Sequence, residues 1–210
     1  KTKFKIKEVT FVNIGGITNI TTLRNEDNML GTDIGPGMCL IDRWLRLESK
    51  INYDENGEIA KSGKVNKKAL DQLLNNFYEK ENILSITSIQ SFDTKYFDFS
   101  FVKGLSLEDG AATLTEFTAQ IIISALKTKD YKKEKIILCG GGRKNNFLIE
   151  RLKGENRVIK LIDEYGVDGD FIESQAFAYL AIRSYLKIPI SFPTTTGCLE
   201  PCTGGIIIKN

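Results

Sequence analysis

The 210-residue sequence predicts an α/β fold, a mixed sheet of five-stranded type with helices on both faces. Three observations carry that expectation. Strand-like segments come first, VTFVN and ITNITTL, joined by a tight Gly15-Gly16 turn. Helices then alternate with strands, most clearly at residues 106–127, where Ala111, Leu114, Phe117, Ile121, Ile122 and Ala125 recur at steps of three and four. The apolar run KIILC, residues 135–139, passes directly into Gly140-Gly141-Gly142 and a new helix, the strand-glycine-helix order of an α/β unit.

Along the chain, residues 3–13 alternate charged and apolar before becoming wholly apolar, as for a strand running from the edge of a sheet into its middle. The second strand covers residues 17–23, and turn chemistry follows at 25–28. LGT before Asp33 is strand-like, and Gly35-Pro36-Gly37 makes a second glycine turn. Residues 40–47 place Leu40, Ile41, Trp44, Leu45 and Leu47 at helical spacing. YDENGEIAKSG, residues 53–63, reads as a polar loop. A helix over 67–80 carries Leu70, Leu73, Leu74 and Phe77 on one face, and Ser106 with Asp109 forms a capping pair for the helix that follows. After the glycine run come a helix at 146–152, a strand at 158–161 and a helix at 170–186 that is apolar on most of its circumference, hence expected to pack against the sheet. No linker, low-complexity tract or internal repeat divides the chain.

Composition excludes several classes of function. Basic and acidic residues, 29 and 27, are interspersed for a net charge of +2, so no large field recommends nucleic acid or an anionic membrane as partner. No apolar run approaches the roughly 18–20 residues that span a bilayer, and there is no signal-peptide pattern. The chain lacks histidine, which rules out Ser-His-Asp and Cys-His catalysis and leaves acid-base work to carboxylates, lysine or tyrosine. Cys39, Cys139, Cys198 and Cys202 have neither zinc-ribbon spacing nor disulfide density and read as buried or half-buried thiols in a reducing cytosol. The chain opens at Lys1 and enters a buried-type strand within a few residues, so further sequence is expected ahead of it.

The glycine turns at Gly15-Gly16, Gly35-Pro36-Gly37 and Gly140 to Gly142 let backbone approach a ligand without a Cβ in the way. They match neither the P-loop nor the dinucleotide pattern, so a nucleotide fold of another kind is required. Asp33, set before a rigid glycine-proline-glycine turn, is the candidate catalytic acid or base; a turn or helix cap is the competing role. Asp168 and Asp170 read as turn and cap residues. Glu173, flanked by Phe171, Ile172, Ala176 and Phe177, is expected to be buried and therefore to need a polar partner or ligand.

NIGGITNITTL, GTDIGPGMCLIDRW, LEDGAATLTEFTA, LCGGGRKNNFLIERL, DGDFIESQAFAYLAIRS and ISFPTTTGCLEPCTGG, in that order, resemble the anhydro-N-acetylmuramic acid kinase family of the sugar kinase, Hsp70 and actin superfamily. The resemblance implies an actin-like ATPase lobe of ribonuclease H-like type. It implies a cytoplasmic bacterial enzyme of peptidoglycan recycling that uses ATP and Mg²⁺ to open the 1,6-anhydro ring with water and phosphorylate O6. Under it, Asp33 is the base that activates water. Asn13, Gly15, Gly16, Gly140, Gly141, Gly142 and Asn145 are nucleotide-binding, and Gly35, Pro36, Gly37, Asp42 and Glu173 contact the sugar. The metal ligands are left unassigned, and a homodimer is left open.

Two departures bear on the site. Thr32, Ile34 and Met38 replace the phenylalanine, threonine and asparagine usual around the second turn, and Thr94 stands where an arginine commonly follows the aspartate of SFDTK. Family members also carry, ahead of the equivalent of Val9, an N-terminal lobe with a first phosphate-binding hairpin. Residues 1–210 are accordingly expected to be the C-terminal lobe of a two-lobed kinase without its N-terminal lobe, the alternative being a catalytically inactive remnant that at most binds nucleotide or muramyl sugar.

Overall fold

The computed structural model describes residues 9–23, 29–81, 90–128, 135–154, 158–206 and 208. Five strands form one sheet: β1 (Val9–Ile14), β2 (Ile17–Leu23), β3 (Met29–Pro36), β4 (Lys135–Cys139) and β5 (Ile159–Leu161), in the order β3-β2-β1-β4-β5. β1, β2 and β3 pair antiparallel, whereas β4 joins β1, and β5 joins β4, in parallel. This is the mixed five-stranded sheet expected, with its strands in the ribonuclease H-like order. The expected start of the first strand before Val9 and the turn at 25–28 lie outside the described residues.

The helices are α1 (Cys39–Glu48), α2 (Glu58–Ser62), α3 (Lys67–Glu81), α4 (Leu107–Thr128), α5 (Asn146–Lys153), α6 (Ile172–Tyr185) and the short α7 (Pro193–Thr196). The period-two pattern of the central strands divides the sheet's faces. Val12, Ile14, Ile136 and Leu138 meet Ala119, Ile122 and Leu126 of α4 and Leu148 and Leu152 of α5, all but fully buried. A second core lies between α1, α2, α3 and α4, where the Trp44 ring is fully buried and its Nε1 donates to the Leu107 carbonyl at 2.9 Å. Burying an indole of this kind stabilises by a few kcal/mol, about 3.

Two expectations fail. The stretch 53–63 is not all loop: Asp54, 4% exposed, accepts from the amides of Ile59 and Ala60 at 2.8 and 3.0 Å and so caps α2. A five-residue helix is too short to show a period, so its signal lay in the cap alone. Nor is α6 packed on the sheet. The sheet's second face, with Val9, Phe11, Ile137 and Cys139, is met by Ile162, Tyr165, Val167 and Ile172, so only the start of α6 touches it. No residue of α6 is buried, and Phe177 and Tyr185 are each 70% exposed. Apolar composition states what a helix needs, not whether a partner is at hand.

Candidate functional site

β1 and β4 run parallel with Asn13 level with Cys139, so the turns that follow them leave the same edge of the sheet. The crevice outside the carboxyl ends of parallel strands is where open α/β sheets hold ligands. A cleft of about 700 Å³ opens there. Of the residues singled out in the sequence, Asn13, Gly15, Gly16, Asp42, Gly140, Gly141, Asn145 and Glu173 line it.

Close backbone packing explains the glycines. Gly140 has φ +79°, and a Cβ there would come within 2.6 Å of Asn13 Oδ1 and of the Ile14 carbonyl. A Cβ on Gly141 would meet nothing within 4 Å, so this residue borders open space. Gly142 is buried against Ile14 and stays outside the cleft lining. Asn145 caps α5 through Oδ1, which accepts from Leu148 N at 2.9 Å, while its buried Nδ2 donor has no partner in the protein. An orphaned donor on the wall of a cleft suits a ligand acceptor.

The first hairpin is locked from behind. The carbonyls of Gly15 and Gly16 accept from the amides of Met38, Gly37 and Cys39 at 2.8, 2.9 and 3.2 Å, so the start of α1 is occupied by protein. A Cβ on Gly37 would collide with the Gly15 carbonyl oxygen. Gly35, Pro36 and Gly37 are buried and outside the cleft lining; their visible task is this tight corner.

Asp33 also lies outside that lining. It sits on β3 opposite Asn19, beside a strand irregularity, and is half-buried. Its Oδ2 accepts from Phe92 N at 2.9 Å and its own amide donates to the Gln90 carbonyl. Burial holds its carboxyl above the usual carboxylate value, and the Phe92 amide partly offsets that. Two substitutions noted in the sequence acquire reasons here. Thr32 Oγ1 accepts from Gln90 N at 2.9 Å and so helps to fix the segment that holds Asp33. Ile34 is 8% exposed in the core under α4, where a polar side chain would lack partners.

The cleft is rich in acid. Asp42, Asp54, Glu55, Asp170 and Glu173 line it against Arg143 and Lys144, both ion-paired to Asp170. Burial pushes the Asp42 carboxyl up to about 6, Arg46 opposing and Asp54 adding to the rise, and its buried Oδ1 has no hydrogen-bond partner. Glu173, expected to be buried, is exposed on the cleft wall because α6 carries no cover. Cys39 and Cys139 are buried and Cys198 half-buried as expected, but Cys202 is exposed. Asp54, Glu55, Arg143 and Lys144 were not foreseen as lining residues. Among the described residues no group of three or more His, Cys, Asp or Glu could hold a metal ion, and no helix is long and apolar enough to cross a membrane. A second cleft, about 580 Å³, lies between α3, α4 and α5, where Glu116 is already satisfied by Arg151 at 2.5 Å and Gln120 at 3.0 Å.

The family profile described as anhydro-N-acetylmuramic acid kinase matches residues 3–210. The chain belongs to this family. Among curated anhydro-N-acetylmuramic acid kinases, that of Pelagibacter ubique is 48% identical over 97% of this chain and 56% of its own length. Those of Zymomonas mobilis and Caulobacter vibrioides are 37% and 38% identical over 93% and 95% of this chain, each aligned over 53% of its own length. The chain thus spans about half the length of the curated anhydro-N-acetylmuramic acid kinases it matches. Solved structures that resemble it include the activator of 2-hydroxyisocaproyl-CoA dehydratase from Clostridium difficile with bound ADPNP, at TM-score 0.47 and 16% identity, covering 74% of this chain and 54% of that one. Component A of the Acidaminococcus fermentans (R)-2-hydroxyglutaryl-CoA dehydratase gives TM-score 0.47 and 20% identity, covering 75% and 55%.

Proposed function

We propose that this chain is the C-terminal lobe of a kinase that opens the 1,6-anhydro ring of anhydro-N-acetylmuramic acid with water and phosphorylates O6 from ATP. The product is N-acetylmuramic acid 6-phosphate, an intermediate of cell-wall recycling in the bacterial cytoplasm. One observation carries the reading: the glycine turns after β1 and β4, far apart in sequence, converge on one cleft at the carboxyl ends of parallel strands in a chain of this family.

In this reading adenosine lies along Gly140, Gly141 and Asn145, whose unpartnered Nδ2 supplies a donor, and the phosphates lie toward Gly15 and Gly16. A cleft with five carboxylates repels a triphosphate unless a cation comes with it. Mg²⁺ typically binds through one or two carboxylates together with substrate phosphates. Asp42, which the family resemblance implied as a sugar contact, would instead hold the ion through its unpartnered Oδ1, and the ion would supply charge neutralisation to the phosphates.

Asp33 serves as the base. Its raised pKa makes it a better proton acceptor than an ordinary carboxylate, and the Phe92 amide fixes Oδ2 so that Oδ1 is left for water. Water adds at C1 as Asp33 takes its proton, the C1–O6 bond breaks, and O6 takes the phosphoryl group from ATP as ADP leaves. The sugar contacts of Gly35, Pro36 and Gly37 would then be made indirectly, through the corner that orients Asp33. Because both sides of a phosphoryl-transfer site must be positioned, the test supplies the other side. ADP release coupled to NADH oxidation is followed with anhydro-N-acetylmuramic acid, for this chain mixed with the N-terminal half of the Pelagibacter relative. Sugar-dependent ADP release is expected; its absence, with both halves folded and associated, would sink the proposal.

A further inference from the structure

We infer that Arg143 is a positioning residue for the cleft, a buried fork that holds the Gly140 turn and the loop leading into α6 in one arrangement. The inference rests on the reading of that cleft as a nucleotide site. The Arg143 side chain is 5% exposed, a placement an arginine tolerates only when its donors are satisfied. Nε donates to Asp163 Oδ2 at 2.8 Å, and Nη2 donates to Asp163 Oδ1 at 3.2 Å and to Asp170 Oδ1 at 2.8 Å. Nη1 turns the other way and donates to the Gly140 carbonyl at 3.0 Å. One planar group therefore ties the turn after β4 to a loop that begins 20 residues later in sequence.

The loop is shaped to receive it. Gly169 lies so close that a Cβ there would collide with Nε, Cζ and Nη2 of Arg143, and its amide donates to the same Asp163 carboxylate at 3.3 Å. Three residues beyond Asp170 stands Glu173, which lines the same cleft as Gly15 and Gly16. Since α6 has no buried residue, its first turn is set by Ile172 at the edge of the apolar cluster and by the Arg143 fork on Asp170. Lys144 also reaches Asp170, but from solvent and as a point charge, which attracts without fixing direction. The placement of Gly140 relative to Asp170 and the start of α6 therefore depends on the geometry of the fork as well as on its charge.

Arg143→Lys keeps the charge and loses the fork; Gly169→Ala keeps the arginine and displaces it. Each is compared with the unaltered 210-residue chain by calorimetric titration with Mg-ATP and with ADP, alongside its thermal unfolding midpoint. Both variants should bind each nucleotide about tenfold more weakly or worse, with midpoints within about 3 °C of the parent. Arg143→Ala should be weaker still, but it also strips the Asp163 and Asp170 carboxylates of their buried partner, so the two milder variants decide. Binding within about twofold of the parent in either mild variant overturns the inference. So does weakening that appears only where the midpoint falls by more than that margin, since Arg143 would then act through stability alone. Failure of the unaltered chain to bind Mg-ATP or ADP would overturn the nucleotide reading itself, a result distinguishable from the other two.

Discussion

Asp42→Asn should stabilise this chain while impairing its ligand site. Burial raises the Asp42 carboxyl from 3.8 to about 6, so the folded chain holds this proton more tightly than the unfolded chain does. The sign follows: well below 3.8 the group is protonated in both states and costs nothing, whereas between 3.8 and about 6 the unfolded chain ionises it and the folded chain does not, so the cost grows over that window and stays above it. The full difference corresponds to about 3 kcal/mol, and because the residue is only part-buried we halve it to about 1.5 kcal/mol for solvent screening. Asparagine removes the charge and keeps the shape, and one polar atom stays unpartnered in either case, so that cost cancels. Urea unfolding should therefore show the variant more stable by about 1–2 kcal/mol near pH 7.5, shrinking to under about 0.5 kcal/mol near pH 4. An equal gain at both pH values, or a loss near pH 7.5, would refute the reasoning. The same variant should lose Mg-ATP affinity if Asp42 holds the cation, which separates a functional carboxylate from a merely tolerated one.

Other expectations follow from the same geometry. With both halves of the kinase supplied, Asp33→Asn should abolish sugar-dependent ADP release while ATP affinity stays within about threefold; comparable turnover would remove Asp33 from the mechanism. Gly37→Ala should cost about 2–3 kcal/mol in chemical denaturation, because its Cβ collides with the Gly15 carbonyl in a packed corner; a neutral effect would show that the corner yields. Thr32→Val should loosen the segment at Gln90 and Phe92 by removing the acceptor for Gln90 N, read as faster amide exchange at Gln90 and Phe92 with the unfolding midpoint lowered by no more than about 4–5 °C.

Most of the fold was legible because the periods that encode it are local. The 3.6-residue stripe of α4 and the apolar runs of β1 and β4 depend on neighbours within the element, and the structure makes them a helix and two paired strands as read. What depended on distant partners was not legible. Nothing near Arg143 in the sequence announces Asp163 and Asp170, since the ion pairs form only when the loop folds back. Glu173 looked buried because its neighbours are apolar, but burial needs a surface to pack on, and only Ile172 of α6 joins the apolar cluster on the sheet. The site divides in the same way. The glycines of the cleft could be found because a missing side chain is visible in a sequence; the acids of the cleft wall from Asp54 to Glu55 could not, because their local pattern matched a turn.

The uncovered α6 also changes what an unfolding experiment on this chain measures. Heat capacity and denaturant sensitivity on unfolding scale with apolar surface newly exposed to water. Phe177, Tyr179, Ile182 and Tyr185 are between 57% and 70% exposed while the chain is folded, so they have little left to expose. The calorimetric transition is consequently a report on the body around β1, β4 and α4. Phe177→Ala or Ile182→Ala should pass through it almost unseen, whereas Leu126→Ala, 1% exposed beneath the sheet, should cost about 2–5 kcal/mol.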